Sequence, residues 1–249
     1  MDLGLKDKVA IVTGSARGLG AATARRLAEE GAKVVITDIN ADLANATAAA
    51  ITRDGLTAHA INGDITKMAD VQRLVAGTIE KFGGVHILVN NAGFPRDGFI
   101  TKMTEEDWDL VVDVMLKGSF LACKAVIPQM IEQKWGRIIN ISSRAHYGNP
   151  GQANYSAAKA GLIGLAKALC LEEGRYGITV NCIAPGFMET EMVQALPHYE
   201  KIRDRAIEAQ PIKRVGKPDD IANAVAFLAS EQASFISGET LHVTGGRYG

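Results

Sequence analysis

Three cysteines, two tryptophans, seven prolines and no surplus of either charge leave this 249-residue chain short of the features that mark several specialised classes. Cys123, Cys170 and Cys182 are odd in number and lack metal-ligand spacing. A disulfide framework is therefore not encoded, and the three read as buried thiols of a chain kept in a reducing cytoplasm. The five histidines form no ligand pairs, so no catalytic metal is expected. Lys+Arg number 27 against 28 Asp+Glu, a formal charge of −1, which removes the basic surface that nucleic-acid binding needs. No apolar run is long enough to span a bilayer and no signal peptide is recognised, so no membrane partner is expected. Repeats and low-complexity segments are absent as well.

What is present is an ordinary globular composition, 47% hydrophobic with 26 glycines, at a length that fits one sizeable domain. Apolar runs alternate with helical periodicity. Strands are predicted near 8–12, 33–37, 57–61, 86–89, 136–141, 177–182 and 240–243, and helices near 18–30, 41–53, 67–82, 104–133, 153–174 and 218–229. Such alternation implies a parallel sheet wrapped by helices.

The first strand, Val9-Ala10-Ile11-Val12, runs into Thr13-Gly14-Ser15-Ala16-Arg17-Gly18-Leu19-Gly20 and then a helix. Strand, glycine turn and helix start form a phosphate cradle: glycines admit a pyrophosphate close to the backbone, and the helix N-terminus offers N–H groups and partial positive charge. The next strand ends at Asp38, placed to accept hydrogen bonds from both hydroxyls of an adenosine ribose and to repel a 2′-phosphate. That favours NAD over NADP. Arg17 is the counter-signal, since a basic residue in this turn can face such a phosphate.

Tyr155 and Lys159 are four residues apart in a helical stretch, hence on one face. A lysine ammonium beside a phenol favours the phenolate and lowers its pKa. Moving that pKa from about 10 to about 7 takes on the order of 4 kcal/mol. A tuned Tyr–Lys pair with a nearby hydroxyl is what proton transfer at an alcohol or ketone oxygen requires. Ser142-Ser143 supplies candidate hydroxyls.

With these pieces in order, together with Asn90-Asn91-Ala92-Gly93, Gly63-Asp64-Ile65, Asn181 to Gly186 and the closing Gly238 to Gly246, the chain resembles the classical short-chain dehydrogenase/reductase family over essentially its whole length. Within it, Gly151-Gln152-Ala153-Asn154-Tyr155 and Pro185-Gly186-Phe187-Met188-Glu189-Thr190 look most like the 3-oxoacyl-[acyl-carrier-protein] reductase branch. The resemblance implies an α/β fold, a single-domain Rossmann-type doubly wound parallel sheet with helices on both faces. It implies hydride exchange between NAD(P) and a secondary alcohol or ketone, with Tyr155 as acid/base, Lys159 lowering its pKa and holding the nicotinamide ribose, and a serine holding the substrate oxygen. The family spacing to the tyrosine points to Ser142. Alignment of the strand Arg137 to Ser143 points to Ser143, which is preferred because loops tolerate deletions and strands fix register. The cofactor positions carried over are Gly14, Ser15, Ala16, Arg17, Gly18, Leu19, Gly20, Asp38, Asp64, Ile65, Asn91, Ala92, Gly93, Tyr155, Lys159, Pro185, Gly186, Met188 and Thr190. The segment 187–217 is expected to be a substrate lid, and the long helices to assemble a homotetramer.

One position departs from the family. Where a helical asparagine usually holds a water linked to the lysine, this chain has Met115, whose thioether is at best a weak acceptor. A working enzyme is still expected, and Met115→Asn is the diagnostic exchange: a large rise in rate would mark an impaired relay, and no change would dispose of it. The substrate is expected to be a small molecule facing Phe94, Arg144, His146, Tyr147 and Phe187. Carrier-protein docking would need a basic surface, for which Lys134, Arg137 and Arg175 are candidates. Two other readings remain: an NADPH-dependent reductase of 3-oxoacyl thioesters, and a cofactor-binding regulatory protein of weak activity.

Overall fold

Apolar residues in the short β runs alternate between two buried faces. In the computed structural model, which describes residues 2–248, Ala10 and Val12 face one layer of the core and Ile11 the other. A sheet covered on both sides produces this pattern. Its strands are β1 (Val9–Thr13), β2 (Lys33–Thr37), β3 (Ala58–Ala60), β4 (Ile87–Asn90), β5 (Gly136–Ile141), β6 (Ile178–Pro185) and β7 (Thr240–Val243). They lie in the order β3-β2-β1-β4-β5-β6-β7, and all pairings are parallel.

The helices are α1 (Gly18–Glu29), α2 (Ala41–Arg53), α3 (Met68–Phe82), α4 (Glu105–Val112), α5 (Gly118–Gln133), α6 (Ala153–Glu173), α7 (Glu191–Gln194), α8 (Tyr199–Ala209) and α9 (Pro218–Ala229). Leu27, Ile51 and Val225 bring α1, α2 and α9 onto one face. Leu74, Val126 and Ala166 bring α3, α5 and α6 onto the other. Each fully buried leucine or isoleucine contributes about 1.5–3 kcal/mol. Strand order reverses between β1 and β4, and the crevice outside the carboxyl ends of the strands there is where doubly wound sheets bind ligands.

The single helix predicted over 104–133 is instead α4, a π-helical turn at Asp113–Lys117, and α5. A one-turn π insertion leaves the apolar periodicity nearly intact, so a 3.6-residue pattern does not disclose it. β3 keeps only the centre of its predicted span, at the edge of the sheet. β6 runs on past its predicted end at 182 to Pro185, whose missing N–H costs nothing at a strand terminus.

The segment 187–217 forms α7 and α8, and its two ends are stitched together. Gly216 donates to the Phe187 carbonyl at 3.1 Å, and Glu189 donates to the Gly216 carbonyl at 2.8 Å. Arg137 is not on a docking surface. It is 2% exposed, and its guanidinium donates to the carbonyls of Gly136 and Gly177 at 2.9 and 3.1 Å. Among the described residues no helix is long and apolar enough to cross a membrane, and no cluster of three or more His, Cys, Asp or Glu side chains is arranged to hold a metal.

Candidate active site

β1 ends at Thr13, whose hydroxyl accepts from the amide N–H groups of Asn91 and Ala92, both at 3.0 Å. The Asn91 side-chain amide donates back to the carbonyls of Thr13 and Gly14 at 2.9 and 3.0 Å. These bonds pin the turn after β1 to the turn after β4. Gly14 and Gly18 take positive φ, +60° and +58°, and a Cβ at Gly20 would strike the Gly14 carbonyl. α1 then starts with no side-chain cap at Arg17 and no acid in its first turn, so its leading N–H groups are left for an anion.

Asp38 closes the far side of this cradle. Its Oδ1 accepts from the Asn40 N–H at 3.1 Å and its Oδ2 from the Ala16 N–H at 3.4 Å. Asp64 and Ile65 follow along the same wall, and the Thr66 hydroxyl holds the Asp64 carboxyl below its ordinary range. Glycines that keep the turn tight and free of side chains, an uncapped helix start and a strand-end carboxylate fit a dinucleotide. Ser15 and Ala16 serve the cradle from behind: neither lines the cavity, and the buried Ser15 hydroxyl donates to the Val12 carbonyl.

Across the cavity, α6 carries Tyr155 and Lys159. Asn154, fully buried, anchors the start of the helix. Its Oδ1 accepts from the Tyr155 N–H at 2.7 Å, and its Nδ2 donates to the carbonyls of Arg96 and Asp107 at 3.1 and 3.0 Å. Lys159 Nζ lies 5.5 Å from the centre of the Tyr155 ring and donates to the Ile141 carbonyl at 2.6 Å. Burial lowers the Lys159 pKa to about 8. Tyr155 is raised, chiefly by burial, with a hydrogen bond to Ser143 opposing the rise and Asp97 adding to it. The expected lowering of Tyr155 by Lys159 is therefore not present in the protein alone. Burial costs both groups their charged forms, and the lysine donates to a backbone carbonyl.

The two serines face different ways. Ser142 is 2% exposed and its hydroxyl donates to the Lys159 carbonyl at 2.8 Å. Ser143 accepts from the Ala145 N–H at 3.1 Å, capping a short 3₁₀ turn, Arg144–Tyr147, and it borders the same cavity as Tyr155, whose pKa it draws down against burial. Met115 sits in the π turn, 1% exposed. It packs with Val111, Ala158 and Tyr155, and its side chain lies where a Cβ on Gly93 would be.

One cavity of about 800 Å³ opens at the strand ends. Gly14, Arg17, Gly18, Leu19, Gly20, Asp38, Asp64, Ile65, Asn91, Ala92 and Gly93 line its cradle end. Ser142, Ser143, Tyr155, Lys159, Pro185, Gly186, Met188 and Thr190 line its middle. Phe94 and Phe187 border it too, beside Leu110, Val114, Gln152, Met192 and Val193, which sequence reasoning missed. Leu110 and Val114 lie in the helical stretch broken by the π turn, and their only sequence signal was an apolar stripe indistinguishable from core.

Arg144, His146 and Tyr147 do not line the cavity, contrary to expectation. The 3₁₀ turn rotates them onto β7 and the tail beyond it, where His146 Nε2 is 3.0 Å from His242 Nε2 and Tyr147 stacks on His242. Cys123 and Cys182 are buried, their thiols pushed up to about 12 by burial. Cys170 is only half-buried.

The model of the family described as Enoyl-(Acyl carrier protein) reductase matches residues 14–247. The chain is 47% identical over 245 residues to (2S)-[(R)-hydroxy(phenyl)methyl]succinyl-CoA dehydrogenase subunit BbsD of Thauera aromatica, covering 98% of both chains. It is 44% identical over 244 residues to the 3-oxoacyl-[acyl-carrier-protein] reductase FabG of Staphylococcus epidermidis, covering 97% of this chain and 99% of that one. A crystal structure from Agrobacterium tumefaciens, of a protein assigned as a gluconate dehydrogenase, superposes with a TM-score of 0.94 at 32% identity over 98% of this chain and 97% of that one. With a seven-stranded parallel sheet, a glycine cradle and a Tyr–Lys pair in one cleft, the chain belongs to the short-chain dehydrogenase/reductase family and is an oxidoreductase that uses a nicotinamide cofactor.

Proposed function

We propose that this enzyme is an NAD-linked dehydrogenase of a secondary alcohol carried on an acyl thioester, with an apolar substituent at the carbinol. The observation that carries the reading is the meeting of Ser143, Tyr155 and Lys159 with an apolar chamber in one cavity. A nicotinamide cofactor held by the Gly14–Gly20 cradle, Asp38 and Lys159 would supply hydride exchange at the carbinol carbon. Tyr155 removes the hydroxyl proton in oxidation and returns it in reduction. The Ser143 hydroxyl holds the substrate oxygen and stabilises charge developing there. Lys159, held near pKa 8, keeps positive charge beside Tyr155 through neutral pH and offers the nicotinamide ribose a donor. Phe94, Phe187, Met192 and Val193 exclude water from the reacting carbon. The stitched segment 187–217, which carries Phe187, Met192 and Val193, acts as the lid over the reacting carbon.

Asp38 supports NAD, because a carboxylate at this strand end meets a 2′-phosphate with like charge. The names of two relatives support the thioester, since both place the reaction on an acyl group carried by CoA or a carrier protein. The FabG likeness favours a second reading, an NADPH-dependent 3-oxoacyl-[acyl-carrier-protein] reductase. The burial of Arg137 counts against it by removing one proposed docking cation. Cys123 and Cys182, buried thiols that burial keeps protonated, suit a reducing cytoplasm. The apolar groove between α5 and α6, with Phe120 exposed and Leu165 half-buried, suits assembly into a homotetramer.

The test is steady-state turnover on acetoacetyl-CoA with NADH, on acetoacetyl-CoA with NADPH, and on simple secondary alcohols with NAD+. Faster NADH-linked turnover of the thioester is expected, abolished in Tyr155→Phe. Preference for NADPH would hand first place to the second reading, and turnover confined to simple alcohols would remove the thioester.

A further inference from the structure

Three residues expected in the substrate pocket turn away from it, and their new partners give them a different task. His146 is tied to Ser143 through the backbone: its N–H donates to the Ser143 carbonyl at 3.0 Å. Its ring, through Nε2, bonds His242 Nε2 at 3.0 Å, across to β7. The Tyr147 ring stacks on His242 with centroids 5.6 Å apart, and Tyr248 meets the other edge of His242 at 5.6 Å. The turn that presents Ser143 is thus fastened to the last strand by one side-chain hydrogen bond between two imidazoles.

We propose that His146 and His242 form a clasp that positions Ser143 and that opens in acid. The proposal rests on the catalytic role read for Ser143 above. Two neutral imidazoles bond when one nitrogen donates and the other accepts. One added proton still leaves a donor and an acceptor. A second leaves two N–H groups facing each other, both cationic, and the bond is lost.

Burial and the facing His242 hold His146 below the ordinary imidazole range. Arg144 from the same turn and Arg247 from the tail are the nearby fixed charges, close enough to act on each other. The other ring neighbours of the pair are Tyr147 and Tyr248. A depressed histidine means that the unfolded chain binds more protons in acid. The clasp's contribution is therefore fully present above the ordinary histidine pKa of about 6.5 and is lost as pH falls through the lowered value.

The test uses ring- and amide-labelled enzyme in NMR titrations from about pH 8 down to about pH 5, which brackets histidine ionisation. In the parent, the His146 and His242 ring signals and the Ser143 and Ala145 amide signals are expected to move together as acid is added. His242→Gln, whose amide can both donate and accept, is expected to keep the Ser143 signals in place through the acid range. His242→Leu is expected to displace them at every pH. With acetoacetyl-CoA and NADH as the kinetic probe, His242→Leu is expected to lower kcat on the order of 10- to 100-fold while NADH binding is unchanged, the penalty of a misplaced catalytic group. His242→Gln is expected to lose the acid limb of the pH profile. An acid limb that persists in His242→Gln, or Ser143 signals indifferent to His242→Leu, overturns the clasp. Ser143→Ala runs beside them: intact turnover there overturns the serine's role instead, and the NMR response then judges the clasp alone.

Discussion

Ser142 and Ser143 share a side chain and a strand end, yet they differ in what their hydroxyls meet. Ser142 donates to the Lys159 carbonyl, whereas Ser143 lies beside Tyr155 in the cavity and draws its pKa down against burial. Ser143→Ala is expected to lower kcat by roughly 100-fold, the loss of one oxyanion donor. Ser142→Ala is expected to cost about 1 kcal/mol of stability, one buried hydrogen bond, with kcat much less affected. Paired kinetics and thermal melts separate the two. The sequence left both serines open because a loop deletion shifts the count to the tyrosine, and only the direction of each hydroxyl distinguishes them.

Lys159 gives a pH prediction. Its pKa is lowered to about 8 by burial, so between that value and the ordinary 10.4 the unfolded chain binds more protons than the folded one, and stability rises with pH across the window. Below about pH 8 the folded state carries a buried charge, and Lys159→Met is expected to stabilise the cofactor-free protein by about 1–3 kcal/mol at neutral pH while abolishing turnover. The gain should vanish above about pH 10, as chemical denaturation at a series of pH values would show. A destabilised variant at neutral pH would contradict it.

At the scale of elements, strand–helix alternation and the glycine turn were legible because they rest on residue types with few alternatives. The turn needs positive φ at Gly14 and Gly18 and no Cβ at Gly20. Gly20→Ala is expected to force the turn open and weaken NADH binding by at least about tenfold, with a loss of stability of about 1–3 kcal/mol from overpacking. An unchanged NADH affinity by titration calorimetry would rule that out. The π turn was not legible, nor was the rotation of Arg144, His146 and Tyr147 away from the cavity. The first hides inside an apolar periodicity. The second is decided by a 3₁₀ turn and by partners on β7 nearly 100 residues away in sequence.

For the whole molecule, the composition excluded nucleic-acid and metal chemistry as expectations, and the order of motifs led to the family. Substrate identity was not legible, because Leu110, Val114, Met192 and Val193 converge only in the folded chain. The groove between α5 and α6 leaves Phe120 46% exposed. Were the chain to assemble as the proposed homotetramer through this face, Phe120→Glu is expected to give smaller species, and an unchanged mass by light scattering would show that assembly does not use it.

The most direct test of an NAD-linked enzyme is fluorescence titration of NADH and NADPH against the parent and Asp38→Ala. NADH is expected to bind at least about tenfold more tightly, and the variant to lose that preference, as a like-charge clash at the ribose requires. Tighter NADPH binding by the parent would contradict it and give Arg17 the deciding role.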